Sequence, residues 1–181
     1  MTITYRGLAA SFRIVGSAAT PQNLLTIENT AGSAVIVRIR RLISQLDATA
    51  VLTSVMPLVK TSRATSVSGG TTLAKVPFDT SQSSAANVVI RNATASDGGG
   101  LTTITATAGD TMWQQYCMRI HTLVGQILGV DSNQLPNLVE DDPILLAAGE
   151  ALLVQVVASA GGSNPATNHW FVQVMWEEDT P

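Results

Sequence analysis

The chain has 181 residues, of which 13% are charged and 4% aromatic, and its formal net charge is −3. Soluble domains average about 25% charged residues, so Thr, Ser, Ala, Asn and Gly here occupy surface that Lys and Glu ordinarily hold. Ten Lys plus Arg against thirteen Asp plus Glu argue against a polybasic nucleic-acid footprint; positive mean hydropathy argues against disorder; and no run of about eighteen apolar residues is present to cross a membrane.

A chain of this length buries about 70% of its unfolded surface and needs no staple to fold. A single sandwich domain over 1–181 is expected, with 1–22 as an N-terminal arm outside it. The apolar positions of MTITYRGLAASFRIVGSAA are interrupted by Arg6 and Arg13, so the stretch is not read as a signal peptide. From Leu24 to Asp47 the period is two. Leu25 and Ile27 alternate with Thr26 and Glu28, Asn29 to Ser33 carry turn chemistry, and Val35, Val37 and Ile39 alternate with Ile36, Arg38 and Arg40. Two strands joined by a short loop follow, because at 3.6 residues per turn a helix would mix the arginines with the valines.

Val51 to Lys60 reads as a strand that Pro57 demotes to an edge or a bulge. Ser62 to Thr72 has no apolar period and reads as a long polar loop. Val88 to Arg91 and Leu101 to Thr107 are short β-branched runs with a flexible tip, Ala93 to Gly100, between them. Thr111 to Val124 fits a strand, preferred because Gly109 and Asp110 precede it; Trp113, Tyr116, Cys117 and Ile120 also fit one helical face, and a short helix over His121 to Leu128 stays open. From Ile144 to Glu178 a tight turn at Ala148 to Glu150 separates Ile144–Ala147 from a strand over Ala151–Ala158. In the last strand Trp170, Val172, Val174 and Trp176 share one face, which reads as core or interface packing in preference to a ligand-stacking pair. Roughly eight to ten short strands with turn chemistry between them predict an all-β antiparallel β-sandwich, jelly-roll-like, with long loops.

The chain is poor in reaction chemistry. Its two histidines, His121 and His169, have no partner at metal-ligand spacing. There is no GxSxG elbow, P-loop or dinucleotide fingerprint, and Gly98 to Gly100 lack the following helix that would make a phosphate cradle. Cys117, among Tyr116, Met118 and Ile120, reads as a buried inert thiol. Glu140, Asp141 and Asp142, with Asp131 and Asn133 nearby, and Glu177, Glu178 and Asp179 carry oxygen ligands of the kind Ca²⁺ takes; neither set has EF-hand spacing, and both read as solvated clusters. Asn92-Ala93-Thr94 matches a glycosylation triplet without other support. No catalytic residue, cofactor or metal is therefore expected. Arg38 and Arg40 project from one strand face with Arg41 beside them, and read either as a basic patch that docks on carboxylates or as the solvent face of an amphipathic strand.

The segments NLLTIENTAGSAVIVRIRRLISQLDATAVL, KVPFDTSQSS, ATASDGGG, DTMWQQYCMRIHT, AGEALLVQVV and NHWFVQVMWEE together resemble small jelly-roll virion structural proteins of tailed bacteriophages, of the capsid decoration or cement type. The resemblance runs from Leu24 to Glu178. It implies a non-enzymatic protein of the virion, located at the capsid surface, whose partners are the major capsid protein and further copies of itself, as a homotrimer. Low charge agrees with this, because charge is depleted in the cores of protein interfaces. The expected partner contacts are Arg38, Arg40 and Arg41, Arg6 and Arg13 in the arm, and Ser62 and Arg63 in the polar loop. The alternative function on the same fold is a carbohydrate- or receptor-binding virion module, associated with a head fibre or the tail.

Overall fold

The structure is a computed structural model that describes residues 2–11, 22–48, 58–79, 81, 87–93, 104–116, 133–134, 144–157 and 168–179. In chain order its strands are β1 (Thr2–Ser11), β2 (Gln22–Asn29), β3 (Ile36–Ala48), β4 (Leu58–Gly69), β5 (Thr71–Thr72), β6 (Val76–Pro77), β7 (Val88–Asn92), β8 (Ile104–Tyr116), β9 (Asn133–Gln134), β10 (Ile144–Leu146), β11 (Ala151–Val157) and β12 (Asn168–Asp179). Among the described residues there is no helix, and so none long and apolar enough to cross a membrane.

The strands form two antiparallel sheets. The first runs β10-β3-β12-β1-β6, with β9 also paired to β3, and the second runs β5-β7-β2-β11-β4-β8. Pairing is nested: β1 pairs with β12, β2 with β11, β3 with β10 and β4 with β8. The two sheets face each other across one core, to which the first contributes Val37, Ile39, Leu146, Val172, Val174 and Trp176, and the second Leu25, Ile27, Val59, Ile90, Leu152 and Val154. The alternation read from β3 and β12 is the alternation that fills this core: Val172, Val174 and Trp176 are buried, while Gln173 and Met175 between them are half-exposed.

Residues 2–11, expected in an arm outside the sandwich, instead form β1, which is laddered to β12 from Thr2↔Asp179 to Ser11↔Trp170 and flanked on its other side by β6. Arg6 interrupts an apolar run but not a strand, because only every second position has to face the core. β2 and β3 are strands as expected, yet they belong to different sheets, so Thr30 to Val35 crosses the sandwich instead of closing a hairpin. The turn at Ala148 and Gly149 makes the same crossing between β10 and β11, with Gly149 at φ +82 and the Glu150 N–H donating to Ala147 O at 3.0 Å. The two crossings are bonded together, since Asn29 N–H donates to Glu150 O at 2.9 Å and Gly149 N–H to Asn29 O at 2.8 Å.

Ser62 to Thr72, expected as a loop, lies in β4 and β5. Up to Ala64, β4 pairs with β11; only two residues past Gly69, at Thr71, β5 pairs with β7 on the far side of the same sheet. The intervening stretch, laddered to the first half of β8, therefore lies across the outer face of the second sheet. Beneath it Ala64, Ala151 and Leu153 form a small separate cluster with Val67 and Ala106. The strap needs few apolar residues because only one of its sides meets protein, which is why its sequence reads as a loop. Gly70 closes it at φ +69, where a Cβ would lie 2.8 Å from Ile104 Cγ1 and 3.0 Å from Asn92 O.

Candidate functional surface

The outer face of the first sheet gathers most of the residues singled out for partner contact. In β3 Arg38 and Arg40 point away from Val37 and Ile39. The ladder with β12 slips by one residue between Met175 and Trp176, so that Arg41 stands opposite Met175 and Arg38 opposite Glu177. This bulge lets Arg40 and its neighbour Arg41 share a face that strict alternation would split. Arg6 in β1 also stands opposite Met175, with Val76 of β6 beyond it, so Arg41, Met175, Arg6 and Val76 form one row across the sheet.

Most of the charge on this face is cancelled within it. Arg40 donates from Nε at 2.7 Å and Nη2 at 2.6 Å to Glu177 Oε2, and Arg38 pairs through Nε with Asp179 Oδ2. Arg41 is exposed. Leu145 of β10 stands opposite Arg38 and is 43% exposed. The face therefore carries two paired charges, with Met175, Gln173, Ile43 and Leu145 among them.

The other expected contacts do not join it. Ser62 is fully buried under the strap of the second sheet, so it is not a surface contact of this chain. Arg63 lies near it and pairs through Nη1 with Glu150 Oε2 at 2.7 Å, and the same oxygen accepts from Ala147 N–H at 2.9 Å. Its carboxylate partner thus also holds the β10–β11 crossing. Arg13 lies outside the described residues, as do His121, Cys117 and the Glu140–Asp142 cluster; of His169 only the strand position is described.

The three acidic residues at the end of β12 do not converge. Glu177 and Asp179 are on the arginine face, whereas Glu178 points the other way, beside Val37, and is only 6% exposed. Among the described residues no group of three or more His, Cys, Asp or Glu is arranged to hold a metal ion. Asn92 is buried at 2% exposure, which leaves no room for a glycan on its side chain in the folded chain.

Glu178, read from the sequence as part of a solvated acidic cluster, is instead buried, because it falls on the core-facing side of β12. Its Oε1 accepts from Trp176 Nε1–H at 3.3 Å, and its carboxyl is also bonded by the Asn87 side chain. Burial pushes its pKa up, opposed in part by those two hydrogen bonds and by the charge of Lys75. Lys75 sits on the short connection that leaves β5 at the edge of one sheet and enters β6 at the edge of the other, and its Nζ donates to Val88 O at 2.5 Å. Burial lowers the Lys75 pKa, with Glu178 opposing. The only sequence signal was that a lysine in KVPF precedes a strand by a dozen positions, which fixes no contact.

Comparison with protein-family models, with curated protein sequences and with solved structures returned no match to this chain.

Proposed function

We propose that this chain is a structural protein of a tailed-bacteriophage virion, a decoration or cement protein that self-associates, as a homotrimer, on the outer face of the major capsid shell and stabilises the head. The observation that carries the reading is the outer face of the first sheet. Arg38 and Arg40 are already matched by Asp179 and Glu177, so a partner that covers this part of the face strips water from paired charges instead of isolated ones, and the remaining apolar and amide side chains supply contact area. The nested strand pairing supports the jelly-roll part of the reading, and the six sequence segments quoted above support the family. A protein that binds only the assembled shell stabilises it by mass action, and repeated weak contacts on a lattice gain from multivalency.

Heads stripped of this protein are expected to break at lower temperature, with robustness returning on adding it back, and Arg41→Glu is expected to weaken rebinding while leaving the isolated protein folded. Stripped heads as robust as complete ones would overturn the cementing role. The alternative, a carbohydrate- or receptor-binding virion module, is favoured by one feature, Phe78, an aromatic 53% exposed next to β6. Selective glycan binding lost in Phe78→Ala is the result that would put it first.

A further inference from the structure

Two side chains of opposite sign stand alone, one on each sheet. Arg41 on the outer face of the first sheet and Asp110 on β8 of the second are both exposed, and neither has an ion-pair or hydrogen-bond partner among the described residues. The other exposed charge described, Asp79, is held locally, accepting from Ser81 N–H at 2.9 Å and Oγ–H at 2.7 Å. Each of the two lone charges also has an apolar neighbour. Met175 stands opposite Arg41 and is half-exposed, with Arg6 opposite it on the other side. Met112 follows Asp110 by two residues and is 36% exposed.

β8 is the terminal strand of the second sheet, and its middle leaves the ladder. Trp113 stands opposite Thr61, Thr111 opposite Ser62 and Ala108 opposite Ala64, so the six residues 108–113 of β8 span only four of β4. The extra residues bulge outward, and Thr107 to Met112 are all exposed. A bulged edge resists the addition of another strand. What β8 offers a partner is therefore a ridge of side chains that carries a carboxylate and a thioether.

We propose that the chain associates with copies of itself head to tail: the β8 ridge of one copy seats on the outer face of the first sheet of the next, Asp110 pairing with Arg41 and Met112 packing on Met175. Arg38 and Arg40 are already held by Asp179 and Glu177, so Arg41 is the guanidinium left to take a carboxylate from outside, for which its planar fork is suited. An isologous contact centred on the same row would set Arg41 and Arg6 against the same two arginines of the other copy. Like charges so placed oppose association. The contact is therefore heterologous, and a heterologous contact repeated about a rotation axis closes a ring. That ring is the homotrimer of the proposed function, on whose self-association this inference rests.

The test is sedimentation velocity of the purified full-length chain with no heads present, on the wild type, Arg41→Glu, Asp110→Arg and the variant carrying both changes. Both positions are exposed, and circular dichroism verifies that each variant is folded. The wild type is expected to form a closed oligomer, each single reversal to associate about tenfold or more weakly because it sets like charges together, and the double reversal to recover association because the pair is restored with its signs exchanged. A monomeric wild type overturns the inference. So does either single reversal that associates as the wild type does, or a double reversal as weak as the singles, since these outcomes place the partner of Arg41 or of Asp110 elsewhere. Head binding is a separate measurement: a chain that assembles through these two residues but adds nothing to stripped heads refutes the cementing role and leaves this contact standing.

Discussion

The side-chain amide of Asn29, at the end of a strand in one sheet, donates to the backbone carbonyl of Leu146 in the other sheet at 3.0 Å. Its second amide hydrogen goes to Val35 O at 2.9 Å. A single buried NH₂ group thus satisfies two carbonyls where both inter-sheet crossings turn. Asn29→Ala leaves those two carbonyls without donors and is expected to cost about 1–3 kcal/mol. Asn29→Asp is expected to be worse, because it sets an oxygen against both. Urea denaturation checks this as a lower midpoint with an unchanged slope, Asp below Ala below wild type.

Gly70 tests the strap across the second sheet. At φ +69 an alanine is disfavoured by about 1–2 kcal/mol, and its Cβ also meets Asn92 O at 3.0 Å, a backbone atom that cannot swing away as the Ile104 side chain can. Gly70→Ala is expected to lower the melting temperature and to raise amide hydrogen exchange over 64–72 and 104–110 more than over β3 or β12. Uniform acceleration across both sheets would mean that the strap and the sandwich core unfold as one unit.

Much of the sandwich was legible because period two is a local property. Val37 and Ile39 against Arg38 and Arg40, and Val172, Val174 and Trp176 against Gln173 and Met175, show their faces without knowledge of a partner strand. The destination of each strand was not legible: Thr30 to Val35 is long enough either to close a hairpin or to cross the roughly 10 Å between packed sheets. The strap was missed because Ala64 and Val67 are all it turns toward protein, and β1 because Arg6 hides the alternation. Arg38 and Arg40 were visible, and so were Glu177 and Asp179, but only the register, with its one-residue slip at Met175, brings the two sets together. No pattern within either segment encodes that slip.

The arginine ladder is expected to contribute little to the stability of the isolated chain. Half-exposed ion pairs are worth less than about 1 kcal/mol, and salt screens them further. A double-mutant cycle of Arg40→Ala and Glu177→Ala, read by urea denaturation, is expected to give a coupling energy below about 1 kcal/mol that shrinks in high salt. The same two single variants are expected to differ when the face is covered by a partner, because each leaves one charge without its mate in a desolvated contact. A coupling of several kcal/mol in the isolated chain would assign the ladder to folding instead.

Glu178 predicts the sign of one pH dependence. Burial, the larger cause, holds its pKa above the usual carboxylate value in the folded chain, and Trp176, Lys75 and Asn87 offset that only in part. Below about pH 4 both folded and unfolded chains carry the proton and no penalty arises. As pH rises past the unfolded value the unfolded chain loses its proton first, so stability falls until the folded value is passed and then stays level. Glu178→Gln removes this slope while keeping an oxygen for Trp176 Nε1–H. The comparison belongs in a Lys75→Arg background, where the neighbouring positive charge is kept and does not itself titrate. There the variant carrying Glu178→Gln is expected to match its parent at low pH and to become the more stable of the two as pH rises toward neutrality. Melting temperatures measured at intervals across this range check it; an advantage for Glu178→Gln that is greatest at low pH would show that the carboxylate form is the one the fold prefers.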